Sequence, residues 1–257
     1  MSKIHATAIV SPGAELADDV EVGPYSIIED DVTIDSGSRV ASNILLAAGA
    51  RLGKNVAVHH GAVIGTVPQD LKFGGEKTTA EIGDNTVVRE YATVNRGTDY
   101  HFKTVIGANC LVMAYAHTAH DCLIGDHVIM ANSVNLAGHI EIGDYAILGG
   151  MLPVHQFVKI GKHAMVGGGF RVQQDICPFS LAGGYPLKII GLNSIGLKRR
   201  GFQPDAIKAL EKTFKLLFFS KLNTTQAVTR INDELEITPE VRDVLEFIEK
   251  SERGLVK

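Results

Sequence analysis

The chain has 257 residues, 45% of them apolar, and a formal net charge of −4. That composition supports a folded chain with a sizeable core and excludes a disordered one. It also excludes the broad basic field of a nucleic-acid binder, so any anionic ligand must be held by a local patch. The start, Met1-Ser2-Lys3-Ile4-His5, has no apolar leader segment. Acidic residues interrupt the chain before a run of about 20 apolar residues can accumulate. A cytoplasmic protein without a membrane span is expected. Three cysteines, Cys110, Cys122 and Cys177, show no paired spacing, which favours buried free thiols over disulfides.

From Ile4 the chain places an aliphatic residue at every sixth position: Val10, Leu16, Val22, Ile28, Ile34, Val40, Leu46, Leu52, Val58 and Ile64. The step resumes at Ile82 and continues, with few misses, to Val172. A period of six is neither helical nor simple strand alternation; it is the internal repeat of a parallel β-helix. Two residues before the aliphatic site the chain often has a small one, as at Ser26, Ser38, Ala62, Cys110 and Cys122, so both positions should point inward. Glycine often follows the aliphatic residue, as at Gly23, Gly53, Gly65, Gly83, Gly107, Gly125, Gly143 and Gly161. There it is expected to serve a corner conformation that a Cβ would hinder.

The step fails at Asp70 and Glu76, at Tyr100, and at Thr118. The first two interruptions lie in polar segments and predict excursions from the coil near residues 66–80 and 95–104. After about residue 175 the period is lost, and Pro178, Gly183-Gly184 and Pro186 mark a connector. We therefore expect a β-helix domain over 1–190 and a small α-helical domain over 191–257 that covers the open end of the coil. One helix starts at Pro204-Asp205, with Ile207, Leu210, Phe214 and Leu217 on one side. A second is expected over 225–235, and a third is capped by Thr238-Pro239-Glu240.

Three six-residue faces make one coil, so residues 18 apart stack about 4.8 Å from each other where no loop intervenes. His120, Gly138 and Gln156 then share one row, with His139 beside Gly138 and His155 beside Gln156. Neutral imidazole is the side chain best suited to take a proton from a hydroxyl near neutral pH, and a glycine N–H beside it can stabilise an oxyanion. Asp121 follows His120, but successive strand residues point to opposite faces, so the two pair only at a corner. A base and an oxyanion donor without a Ser or Cys nucleophile suggest direct acyl transfer to a substrate hydroxyl. Clustered histidines also bind zinc, but the His-x4-His element of β-helix carbonic anhydrases does not occur.

Gln69-Asp70-Leu71-Lys72, Ala116-His117-Thr118-Ala119-His120-Asp121-Cys122, Leu136-Ala137-Gly138-His139, Val154-His155-Gln156-Phe157 and Gly196-Leu197-Lys198-Arg199-Arg200-Gly201-Phe202 occur in this order. Together they resemble the acyl-[acyl-carrier-protein]–UDP-N-acetylglucosamine O-acyltransferase family, over the whole chain. The resemblance implies a left-handed β-helix, a homotrimer with sites between subunits, and no metal or organic cofactor. It implies two substrates: an acyl carrier protein bearing a 3-hydroxyacyl chain, and UDP-N-acetylglucosamine, in the first step of lipid A biosynthesis. By the same resemblance His120 is the general base, Asp121 its support and Gly138 the oxyanion donor. Asp70, Lys72, His117, His139, His155 and Gln156 then contact sugar and acyl chain, and Gly168 limits chain length. Asn193, Arg199 and Arg200 bind the uridine diphosphate. Ile195 stands where better-known members carry glutamate. Other sugar acyltransferases of the same repeat, and a non-catalytic scaffold, are the alternatives.

Overall fold

A computed structural model describes residues 3–257. Two-residue strands recur every six positions, starting with Lys3–Ile4, Ile9–Val10 and Glu15–Leu16. They stack into three parallel sheets, which form the three faces of a left-handed β-helix. Face one contains Lys3–Ile4 and Glu21–Val22, face two Ile9–Val10 and Ile27–Ile28, and face three Glu15–Leu16 and Thr33–Ile34. We call the turns leaving faces one, two and three the first, second and third corners.

The aliphatic step is the inner wall. Ile28, Leu46, Ile64, Val88, Val94, Ile106 and Leu148 are all fully enclosed, each burial contributing roughly 1.5–3 kcal/mol before chain entropy is counted. The small residue two positions earlier also faces inward. Where it is polar, its hydroxyl serves the next coil: Ser26 Oγ donates to Ala41 O (2.8 Å) and accepts from Ile44 N (3.2 Å). Ser38 and Thr86 repeat the arrangement.

The corners correct the expectation for the glycines. Gly65 alone has the expected left-handed angle (φ 89°); Gly23, Gly53, Gly83, Gly107, Gly125, Gly143 and Gly161 keep ordinary backbone angles, and the left-handed conformation falls two residues later, at Tyr25, Asn55, Asn85, Asn109, His127, Tyr145 and His163. The glycines are required by close stacking instead. A Cβ on Gly83 would lie 2.6 Å from Ala108 N, and one on Gly143 2.5 Å from Lys162 N, both main-chain atoms of the next coil.

Both excursions leave from the second corner. One runs from the strand Val63–Thr66 on face two to Thr79–Ile82 on face three, the other from Thr93–Asn95 to Lys103–Ile106. Ala57 pairs with Val87, 30 residues on, and Thr93 with His117, 24 on. The ordinary coil spacing is 18, as in His117↔Asn135, so the insertions add 12 and 6 residues. Both are multiples of six, which is why the aliphatic step survives them.

Face one ends in an antiparallel hairpin, Ser180–Gly183 with Lys188–Leu192. Four helices follow: α1 (Ser194–Arg199), α2 (Pro204–Phe218), α3 (Thr224–Glu234) and α4 (Pro239–Glu249). The last three match the expected helices, whereas the short α1 was not anticipated. The Thr238 side chain accepts from Val241 N at the start of α4, and Asn223 with Gln226 forms a capping box on α3. Ile207, Leu210, Phe214 and Leu217 of α2 are buried in one apolar cluster that continues into the coil interior through Ile176, Ala182 and Leu197. No helix among the described residues is long and apolar enough to cross a membrane.

Candidate active site

His120 and Asp121 sit at the second corner, one coil beyond the second excursion. Asp121 adopts the left-handed conformation (φ 58°), which turns its side chain to the same side as its neighbour's. This corner is the condition that the strand alternation demanded. His120 Nδ1 lies 2.8 Å from Asp121 Oδ2. An ionised carboxylate there fixes the proton on Nδ1 and leaves the Nε2 lone pair free.

The Asp121 carboxylate is fully enclosed and takes three further hydrogen bonds, all from the second excursion. Thr98 N donates to Oδ1 (3.0 Å), Thr98 Oγ1 to Oδ2 (2.6 Å) and His101 N to Oδ1 (3.1 Å). Burial by itself pushes this carboxyl upward, but the hydrogen bonds from His120, Thr98 and His101 outweigh it and hold the group well below the usual carboxylate range. The ligand atoms of His120, Asp121 and His139 lie within 4.8 Å of one another. With every Asp121 oxygen already engaged by protein donors, however, the carboxylate is committed to orienting His120.

Gly138 lies on the next coil against the His120 ring. A Cβ there would be 2.5 Å from Cε1 and 2.7 Å from Nε2, so only glycine admits the imidazole in this position. Gly138 N donates to no acceptor among the described residues. Gln69, His117, His120, Gly138 and Gln156 line one cavity of about 450 Å³. Asp70, Lys72, Phe73, Thr98, Tyr100 and His139 line a second, of about 240 Å³, beside it.

Two other imidazoles face this region. His117 Nδ1 meets Thr93 Oγ1 at 2.7 Å, and burial, with His120 nearby, depresses its pKa. His139 is likewise depressed, mainly by burial; it stacks on Phe157 (4.4 Å, 3°) and takes the edge of Tyr100 at 4.7 Å. Both are neutral near pH 7 and suit hydrogen bonding to an uncharged sugar or acyl group.

Of the residues expected in the site, the second corner gathers Asp70, Lys72, His117, His120, Asp121, Gly138, His139 and Gln156. His155 is adjacent but lines neither cavity, its Nδ1 lying 3.1 Å from Gln156 O. Gly168 stands on the first corner, packed so closely on Gly150 that a Cβ would lie 2.7 Å from its carbonyl oxygen. Asn193, Arg199 and Arg200 belong to the third. Asn193 is buried, accepting from Gly196 N and donating to His163 O (3.0 Å). Arg200 donates to Tyr145 O (3.1 Å) and lies over the Tyr145 ring, while Arg199 is exposed. One chain therefore does not bring the three groups together. Thr98, Tyr100 and His101 escaped the sequence reading; the break at Tyr100 was the only signal, because residues in an insertion have no place in the register of 18. Phe157 was given no role, although it follows His139 by 18 residues and stacks on it.

Two family models match the chain. One, described as UDP N-acetylglucosamine O-acyltransferase, domain 2, covers residues 175–256, and one for bacterial transferase hexapeptide repeats covers 103–138. An acyl-[acyl-carrier-protein]–UDP-N-acetylglucosamine O-acyltransferase from Trichlorobacter lovleyi is 55% identical, with 99% of each chain covered. The chain belongs to this family. A second member, from Thermodesulfovibrio yellowstonii, is 44% identical over the full length of both. The solved UDP-N-acetylglucosamine acyltransferase from Bacteroides fragilis superposes with a TM-score of 0.97 at 40% identity, covering 98% of this chain and 99% of its own. As a family member the protein is an acyltransferase.

Proposed function

We propose that the second corner transfers a 3-hydroxyacyl chain from acyl carrier protein to the glucosamine 3-hydroxyl of UDP-N-acetylglucosamine, the first step of lipid A biosynthesis, in the cytoplasm. The observation that carries the proposal is the alignment of His120 between Asp121 and Gly138. Asp121 holds the proton on Nδ1, so Nε2 accepts the proton of the sugar hydroxyl as its oxygen attacks the thioester carbon. The carbonyl oxygen becomes an oxyanion facing the unpaired Gly138 N–H. Collapse breaks the C–S bond, and the imidazolium returns its proton to the carrier thiolate. An ester and a free thiol result, and His120 is neutral again.

Asp70, Lys72, His117, His139, His155 and Gln156 are assigned to sugar and acyl contacts, Gly168 to the end of the acyl groove, and Asn193, Arg199 and Arg200 to the nucleotide. The distribution of these groups over three corners supports a homotrimer in which corners of neighbouring copies meet. So does the outer surface of face one in the later coils, which carries Val87, Leu111, Ile129, Ile147 and Met165 after Lys3, Glu21 and Arg39 in the first three; face three carries Glu15, Thr33, Arg51, Glu81, Glu141 and Lys159, with Val105 and Leu123 its apolar positions. An apolar stripe of this kind calls for a protein partner.

Incubation with UDP-N-acetylglucosamine and 3-hydroxyacyl carrier protein, followed by mass analysis, should yield the O-acylated sugar nucleotide. His120→Ala should lower kcat by about 10²–10⁴-fold. An unacylated sugar, or an unimpaired variant, overturns the assignment. For the assembly, inactive His120→Ala and Arg199→Ala chains, mixed and reassembled, should regain activity if each site draws on two copies.

A further inference from the structure

The second excursion interrupts the repeat immediately before the coil that carries His120, and three of its polar hydrogens converge on Asp121. We infer that Thr98 is a positioning residue for the reaction: its hydroxyl and main-chain N–H clamp the Asp121 carboxylate so that Oδ2 holds His120 in line with Gly138. The inference rests on the reading of His120 as the base.

The direction of the Thr98 hydroxyl is determined by its surroundings. Oγ1 accepts from Tyr100 N at 3.3 Å, and so its hydrogen is directed to Asp121 Oδ2 at 2.6 Å. From the other side, Asp121 N donates to Thr104 Oγ1 at 2.9 Å. Thr98 and Asp121 are both buried, and a hydrogen bond to an ionised group in such a site is about twice as strong as a neutral one. The carboxylate thus cannot rotate without leaving buried donors unmatched. Oδ2 is shared between Thr98 Oγ1 and His120 Nδ1, which couples the excursion directly to the imidazole.

A regular corner could not do this. Along the uninterrupted coils the amide of the left-handed corner residue is taken by the preceding coil, as in His139 N to His120 O and Phe157 N to Gly138 O, and the amide left free at Gly138 faces the substrate side of His120 in the proposed reaction. The six extra residues supply N–H groups that no coil has claimed. The same segment places Tyr100 against His139, so one insertion both orients the base and walls the site.

Thr98→Val keeps the side-chain shape and removes the donor. An Asp121 released from that bond draws the proton on His120 more strongly and holds the ring less firmly. The titratable and charged groups nearest His120 are Asp121, His117 and His139; Asp70 and His101 face His139 beside it, and Lys72 lines the adjoining cavity, all unchanged in the variant. We expect kcat to fall about tenfold with the KM for UDP-N-acetylglucosamine within about twofold, and the acidic limb of kcat/KM to move up by about half a pH unit. Thr98→Ser, which restores the hydroxyl, should recover the wild-type values. A 15N NMR titration of the His120 ring, recorded below the melting temperature, reads the same shift without turnover.

Wild-type kcat and pH profile in Thr98→Val overturn the inference. So does a loss of kcat with no movement of the acidic limb or of the NMR titration, or a Thr98→Ser variant as impaired as Thr98→Val. If His120→Ala itself stays active, the proposed chemistry fails rather than the role of Thr98.

Discussion

The second and third corners share one backbone and one style of packing, yet only the second pairs an imidazole with a buried carboxylate. On the third corner His127, Tyr145, His163 and Phe179 hold the left-handed position in successive coils and stack nearly parallel, with ring centres 4.5, 4.9 and 5.6 Å apart. On the second, His139 and Phe157 stack the same way, but the position one coil earlier is an aspartate. Asp121 gives the imidazoles of its corner an anion, at 2.8 Å from His120 and 3.8 Å from His139. His163 has cations instead. Burial first, then Arg200 and Lys162, push its pKa down to about 4. The repeat supplies the column of rings, and the charge at one step of the column decides whether its imidazoles face an anion or cations.

The contrast is broken most severely at Gly138. Gly138→Ala places a methyl within 2.7 Å of Nε2, and the ring must swing away from Asp121 to admit it. Activity should fall about 10²-fold, since misplacing a base costs most of its contribution. Steady-state kcat, measured beside an unchanged melting temperature, checks this; near-normal turnover would show that His120 does not work from the position described.

The third corner is tested by acid. His163 has a folded pKa below its free value near 6.5, so the unfolded chain takes up the proton first as pH falls. Stability from the neutral ring is fully present above about pH 6.5, declines towards pH 4 and levels off below it, a loss on the order of 3 kcal/mol. His163→Phe, which keeps the stack and removes the unpaired Nδ1, should flatten the dependence of Tm on pH between 4 and 7. A curve parallel to wild type would place the acid sensitivity elsewhere.

The smallest effect concerns the wall behind the active corner. Thr118 is fully buried among aliphatic neighbours, and its Oγ1 has no partner, unlike the hydroxyls of Ser26, Ser38 and Thr86. Thr118→Val should raise stability by about 1 kcal/mol, or roughly 2 °C in Tm. A loss instead would show that the hydroxyl serves the site.

The coil, the positions of both excursions and three of the four helices were legible in the sequence, because a six-residue period and local caps survive without tertiary information. The row of His120, Gly138 and Gln156 followed from the same spacing. Of the glycines after the aliphatic step, Gly65 has the expected left-handed corner; at the others the left-handed residue comes two positions later, and only the stacked coils reveal how near the next main chain lies. Thr98 and His101 were invisible because an insertion obeys no register.

By itself, the sequence determined where the wall turns and which residues can stack, since inward burial at every sixth residue leaves the coil no other arrangement. The tertiary structure decided what those stacks do. The left-handed corner at Asp121 brings its carboxylate to the same side as His120, and the second excursion folds back to hold it there. The pairing of Asp121 with His120 and the clamp of Thr98 depend on a turn and a loop, whose side-chain directions no periodicity specifies.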